Sequence, residues 1–495
     1  MDYTMMLARF RDLASKIEYC KYTLNGVIYW DKVTYMPKNG IGYRSEVMSF
    51  LADMQYRILT SEEFTRCVDY FDGNPNNDFL VDAMVRRIRE SSMEVKKIPE
   101  KEYSDYIKLV AVSEQVWEEA RNHADYDRFE PYFRKIIEAF KKFAGYWGYE
   151  NEPYDALMGS YITGLTCRDV DYMIENIKAP LFELVEKRLK SQEKMKKPAK
   201  ISGVSEDRQS KLWHLLLEEI GFDFDCGRVD VGAQTTVLTS SSDDVRILNY
   251  YSEDDITVGI FNVLHSGGKG VYQQHISKSL KGTLLGETSS FAMDEAVGRF
   301  YENIIGRSKA FWSRIFPKAC EIVPELLDIG LDNFYNSINM CSRDAIRISA
   351  DELTYLIHVI IRYEIERALI NGDADTSQVR DMWDCKYKEY LGIVPKNDAE
   401  GVLQDIHWSG GYVGYFPTYI TANIAAAQFA KAIEKEMGSL DELILNEGLS
   451  GISEWMSRNI YRWGASFNTF ELIERACGEE LKSGYYIEYL TKKFS

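Results

Sequence analysis

Apolar residues recur at i, i+3, i+4 and i+7 along most of the chain, most clearly from Phe129 to Tyr149 and from Tyr355 to Ile370. Strict alternation over a strand length is rare, so the pattern predicts an all-α, mainly helical protein. The exception is Arg228 to Tyr251, where RVDVGAQTTVL and DVRILNYY are rich in Val, Thr, Ile and Tyr and flank a Ser/Asp turn. A small antiparallel hairpin is predicted there. Asp254 and Asp255 then signal a helix start, and the run ITVGIFNVLH predicts a helix buried against that hairpin. At the N-terminus Asp2, Arg9 and Arg11 interrupt the apolar positions, giving an amphipathic helix rather than a signal peptide. The longest apolar stretch, Leu353 to Ile365, carries His358, Arg362 and Glu364 and falls short of the roughly 20 residues that span a bilayer.

Composition narrows the functional classes. With 59 basic and 77 acidic residues the net charge is −18, which repels nucleic acid and anionic membranes at long range. No nucleic-acid or membrane partner is expected. The 8 cysteines include no C-x-x-C pair and no dense framework, which points to a reducing compartment and a cytoplasmic protein. The 495 residues allow about three domains or one large one.

Candidate chemistry is concentrated in the helix predicted after the hairpin. His265-Ser266-Gly267-Gly268-Lys269 occupies the place where a zinc peptidase carries H-E-x-x-H. That motif sets two zinc-binding histidines one turn apart, with a glutamate between them that activates the metal-bound water. Here the first histidine stands alone. Ser266 cannot act as a carboxylate base, and Lys269 places a cation where a cation should bind. The same residues spell S-x-x-K, a serine-nucleophile signature, but no S-D-N or K-T-G accompanies it and a second S-x-x-K occurs at Ser191. Gly267, Gly268 and Gly270 predict a weakened turn, because each glycine costs a helix interior about 1 kcal/mol relative to alanine.

Around this segment the chain resembles the carboxypeptidase Taq family of zinc metallocarboxypeptidases over nearly its whole length. Trp30-Asp31 with Thr34, Met36 and Pro37 resembles the family's W-D-x-x-T-x-M-P string, and Asp244 to Arg246 its D-x-R motif. Ile346 to Glu352 resembles I-R-x-x-A-D-E, and Gly401 to Trp408 resembles G-x-x-Q-D-x-H-W. Glu302-Asn303 with Gly306-Arg307-Ser308, and Gly414 to Tyr419, agree as well. The departures cluster at the metal site: Ser266 and Lys269 as above, Asp294, Ala296 and Val297 around the third-ligand position Glu295, and Gln234-Thr235-Thr236 in place of H-P-F.

The resemblance implies a gluzincin-like single domain over 1–495, helical to about 227 and carrying the hairpin and the degenerate metal site from about 228 onward, beside a deep groove. It places His265, Lys269 and Glu295 at the metal-ligand positions and Ser266 at the general-base position. It also points to Arg347 and Arg246 as binders of a substrate carboxylate, and to His407 and Tyr415 as catalytic-region residues. The competing expectation for the arginines is a buried ion pair with carboxylates such as Asp351 and Asp244. Lys269 is expected to fill the metal position and pair with Glu295, with His265 alongside. The implied function is that of a carboxypeptidase-family pseudoenzyme, without cofactor, that binds peptide or protein C-termini as a homodimer. The alternatives are an active zinc metallocarboxypeptidase with a rearranged site, using a carboxylate such as Asp294, and a Ser266/Lys269 serine hydrolase.

Overall fold

Helical periodicity becomes helix along most of the chain in the computed structural model, which describes residues 2–73, 78–195, 199–232 and 234–495. The run from Phe129 lies in a helix over Tyr126–Trp147 whose Phe129, Phe133, Ile136, Ile137 and Phe140 are buried. The N-terminal segment forms Tyr3–Lys21, burying Phe10, Leu13, Ala14 and Ile17. Among the described residues no helix is long and apolar enough to cross a membrane.

Two compact units form, each from three segments of chain. One comprises Met1–Arg89, Lys197–Ile338 and Ala426–Leu481; the other comprises Glu90–Lys196, Asn339–Ala425 and Lys482–Ser495.

The first unit holds the sheet, which differs from the predicted hairpin. It has three strands, β1 (Gly227–Val231), β2 (Thr236–Ser241) and β3 (Asp244–Asn249), in the order β1-β3-β2. β2 and β3 are the expected antiparallel pair, but β1 runs parallel to β3 with Arg228 beside Arg246, so the sheet is mixed. The segment RVDVGAQTTVL does not continue as one strand because the chain leaves β1 at Gly232, where a Cβ would lie 3.1 Å from the Leu248 side chain. β3 takes the centre because Val245, Ile247 and Leu248 are all buried.

After the sheet the chain enters a helix over Thr257–Gln274, in which the Asp255 side chain accepts a hydrogen bond from the Thr257 N–H at 3.0 Å. This motif helix is buried on most sides, and its glycines are the reason. A Cβ on Gly267 would meet Leu217 at 2.5 Å, one on Gly268 would meet Tyr301 at 2.7 Å, and one on Gly270 would meet Phe222 at 2.8 Å. The glycines that predict a weakened turn are instead what lets neighbouring elements approach, and the helix runs unbroken through them.

The second unit is centred on Tyr355–Asn371, in which Leu356, Ile357, His358, Val359, Ile361, Arg362 and Ile365 are all buried. A helix apolar all round is a central helix rather than a surface one. Gly372, at φ 87°, ends it in the left-handed conformation that glycine adopts without strain.

The close approach at Gly268 sets a test. Gly268→Ala is expected to destabilise the protein by about 1–3 kcal/mol through overpacking, despite alanine's better helix propensity. Urea denaturation measures this, and a stabilisation would show that Tyr301 does not approach so closely.

Candidate functional site

His265 and Lys269 lie one turn apart on the motif helix, so their side chains leave it on the same side. Glu295 comes from a second helix, Phe291–Arg299, which Ser290 starts by accepting a hydrogen bond from the Met293 N–H. A π-helical turn over Phe300–Ile305 continues that helix and carries Glu302.

These side chains form one ionic cluster that is mostly out of contact with solvent, with Glu295 buried and the others half-buried. Lys269 Nζ donates to Glu295 Oε1 and lies 3.3 Å from Asp294 Oδ2. The His265 ring lies between two carboxylates, with Nε2 3.4 Å from Glu295 Oε2 and Nδ1 3.0 Å from Glu302 Oε2. Glu302 is in turn held by Arg299 at 3.0 Å and Arg307 at 3.7 Å. Gly298 makes this possible, since a Cβ there would fall 2.7 Å from the imidazole.

The electrostatics follow from burial and pairing. Burial works against the Lys269 ammonium, yet Glu295 and Asp294 outweigh it and hold its pKa above the ordinary lysine range. Burial also opposes the Glu295 carboxylate, but Lys269 and His265 keep it well below the usual range. Asp294 is pushed up by burial and by its neighbour Glu295 in spite of Lys269. Glu302, desolvated but facing Arg299 and His265, is lowered to about 2. Lys269 and Glu295 are therefore both ionised at neutral pH. Ser266 is buried and donates no side-chain hydrogen bond to this cluster, and Lys269, protonated and engaged by Glu295, cannot act as its base.

Arg246 lies on the sheet, bound to Asp244 at 2.7 Å and set over the Trp30 ring. The Tyr22 hydroxyl donates to the same Asp244. This is the ion pair expected for it.

Arg347, His407 and Tyr415 belong to the second unit. Arg347 donates through Nε and Nη2 to Asp405 Oδ1, at 2.9 and 2.8 Å, and through Nη1 to the Tyr355 hydroxyl at 3.0 Å. Its partner is thus Asp405 and not Asp351. Asp351 instead caps the chain entering the central helix, accepting from Leu353 N and from Thr354 N and Oγ1. Asp405 also accepts from Arg362 Nε at 2.5 Å, and the two guanidinium groups overcome burial to hold its pKa far below the carboxylate range. Arg347 lies over the rings of Tyr419 and Phe416. His407 packs against Phe416, Tyr415 and Tyr419, with Nε2 3.4 Å from the Tyr419 hydroxyl. One guanidinium, one imidazole and several aromatic rings therefore pack as one cluster.

His265, Lys269 and Glu295 are brought together in the first unit, and Arg347, His407 and Tyr415 in the second. Sequence inspection assigns no role to Arg299 or Gly298, and Arg362 had a signal only as part of the family-like block Ile361 to Glu364. Glu302 and Arg307 had a signal in the E-N…G-R-S string, and Asp405 in Q-D-x-H-W.

Asp405 and Glu366 yield two tests. Asp405→Asn leaves two buried arginines short of a counter-charge and is expected to cost about 3–5 kcal/mol in guanidinium unfolding. Glu366 is fully buried and accepts from the Tyr154 hydroxyl, Trp408 Nε1 and Gly414 N, yet burial pushes its pKa up to about 7. A carboxyl whose folded pKa is raised binds its proton more tightly when folded. Its contribution is complete below the unfolded value and is lost as pH rises through about 7. The stability of the wild type relative to Glu366→Gln should therefore fall between pH 5 and 7, by up to about 1.4 kcal/mol per unit. Denaturation at each pH measures the difference, and a constant difference would contradict it.

The family profile described as carboxypeptidase Taq (M32) metallopeptidase matches residues 9–494. Carboxypeptidase 1 of Bacillus subtilis is 35% identical over 492 residues, covering 98% of this chain and 97% of the relative. Thermostable carboxypeptidase 1 of Thermus thermophilus is 32% identical over 486 residues, covering 96% and 95%. Among solved structures, the Pyrococcus furiosus carboxypeptidase superposes with a TM-score of 0.95 at 30% identity, covering 100% of this chain and 99% of that one. Metallocarboxypeptidase 1 of Trypanosoma cruzi gives 0.94 at 29%, covering 99% of each. The chain belongs to the carboxypeptidase Taq (M32) metallopeptidase family.

Proposed function

We propose that this protein is a member of the family that has lost its catalytic metal centre and binds peptide C-termini without cleaving them. The observation that carries this is the Lys269 ammonium, largely shielded from solvent and paired with Glu295 and Asp294 at the motif helix. A catalytic zinc needs three protein ligands and a water. Here the donor set offers His265 and Glu295, and the third position holds an ammonium. A divalent ion about 4 Å from that ammonium would be repelled by roughly 8 kcal/mol at an effective dielectric of 20. The residues present do not fit zinc.

The base is missing as well. Ser266 has no carboxylate, and Asp294, the substitute that an active rearranged enzyme would call on, lies 3.3 Å from Lys269. Water activation has no group left to perform it.

Carboxylate recognition is retained in this proposal. A guanidinium carries five N–H donors and Arg347 uses three of them on Asp405 and Tyr355, which leaves two for a ligand carboxylate. His407 and Tyr415 pack against each other in the same cluster. A homodimeric, cytoplasmic state is carried over from the family resemblance and the cysteine pattern.

Purified without chelator, the protein is expected to hold no stoichiometric zinc and to release no C-terminal residues from a peptide mixture. Fluorescence polarisation should show peptides with a free C-terminus binding about tenfold or more tighter than their C-terminal amides, the scale of a charge-assisted hydrogen bond. Stoichiometric zinc with chelator-sensitive turnover would overturn the proposal, as would equal binding of acid and amide.

A further inference from the structure

The cluster around Lys269 retains more of a metal site than its two remaining ligand residues suggest. In a tetrahedral site with bonds of about 2.0–2.1 Å, two ligand atoms stand roughly 3.3 Å apart. His265 Nε2 and Glu295 Oε2 stand 3.4 Å apart. The other imidazole nitrogen meets the carboxylate of Glu302 at 3.0 Å, the arrangement by which a carboxylate orients a metal-binding histidine. Arg299 and Arg307 fix Glu302, and Gly298 leaves the room the ring needs. The supporting residues are thus all engaged, and their charges show what the centre requires. Asp294, Glu295 and Glu302 supply three carboxylates, while Lys269, Arg299 and Arg307 supply three cations. Without Lys269 the pair Asp294 and Glu295 would share a buried space with no cation between them.

We infer that the Lys269 ammonium is a built-in substitute for a divalent cation, held by a half-site that is still formed, so that removing this one side chain opens a metal site. The inference rests on the proposal that the wild-type centre is free of metal. It goes further in assigning Lys269 the structural task of the ion and in treating His265, Glu295 and Asp294 as ligands in waiting. Because Ser266 is not a base, a metal recovered in this way is expected to bind without restoring hydrolysis.

The test uses the full chain and zinc as the probe, read by thermal unfolding and by isothermal titration. Wild-type Tm is expected not to respond to zinc or chelator. Lys269→Ala is expected to unfold at a lower temperature, to recover when zinc is added, and to bind one zinc about 10-fold to 100-fold tighter than wild type, the range over which support of a ligand changes metal affinity. Adding Glu295→Gln to that variant should abolish the recovery. Lys269→His provides a second variant should the alanine form fail to fold, and it should bind zinc tighter still. If neither variant binds zinc better than wild type while wild type is metal-free, the inference is wrong and the proposed function stands. If wild type itself binds zinc stoichiometrically and turns over substrate, the proposed function is the part that fails.

Discussion

The buried pair between Lys269 and Glu295 is the constraint on which the candidate centre depends. A buried ion pair is weak evidence of net stability, because desolvating both charges cancels much of their attraction, but removing one partner strands the other. That asymmetry ties the neighbouring residues to one another. Glu295 holds Lys269 on one oxygen and approaches His265 on the other, His265 reaches Glu302, and Glu302 takes Arg299 and Arg307. Close approach of the two helices, which Gly268 and Gly298 permit, brings these groups within reach of one another. The second unit solves a similar problem with Asp405 between Arg347 and Arg362.

Membership of a peptidase family describes the scaffold, and chemistry has to be argued from the site. The scaffold is shared along nearly the whole chain with carboxypeptidases from bacteria, archaea and a trypanosome. At the candidate centre Lys269 pairs with Glu295 and Asp294. Zinc polarises a carbonyl and acidifies water, whereas an ammonium saturated by carboxylates does neither. The aromatic cluster around Arg347 has no such conflict, since Asp405 pairs with both Arg347 and Arg362 and the Arg347 guanidinium retains donors. The proposed role as a binder rests on that contrast between the two groups of residues.

Much of this was legible in the sequence. The 3.6-residue period marked the helices at Tyr126–Trp147 and Tyr355–Asn371 because each buries a continuous apolar surface. Motif spacing placed His265 and Lys269 on one helix side, and the family resemblance singled out Glu295. What escaped depends on space rather than sequence distance. The parallel pairing of β1 with β3 follows the end of β1 at Val231, and Gly232 reads in sequence as one more residue of a strand-like run. The glycines of the motif helix looked like weak points because propensity counts only the helix itself, and the residues that need their vacancy, Leu217, Phe222 and Tyr301, come from two other helical elements and a connecting segment. Arg347 found its counter-charge at Asp405, 58 residues away, because the nearer Asp351 was already engaged in capping.

The claim that an ammonium has taken the place of the metal can be seen directly. A crystal of the wild-type protein grown with zinc in the drop, with data collected on both sides of the zinc absorption edge, tests it in one experiment. The account predicts no anomalous peak between His265 Nε2 and Glu295, and continuous density from Lys269 to the Glu295 carboxylate. An anomalous peak on those two side chains, with Lys269 turned away, would contradict it.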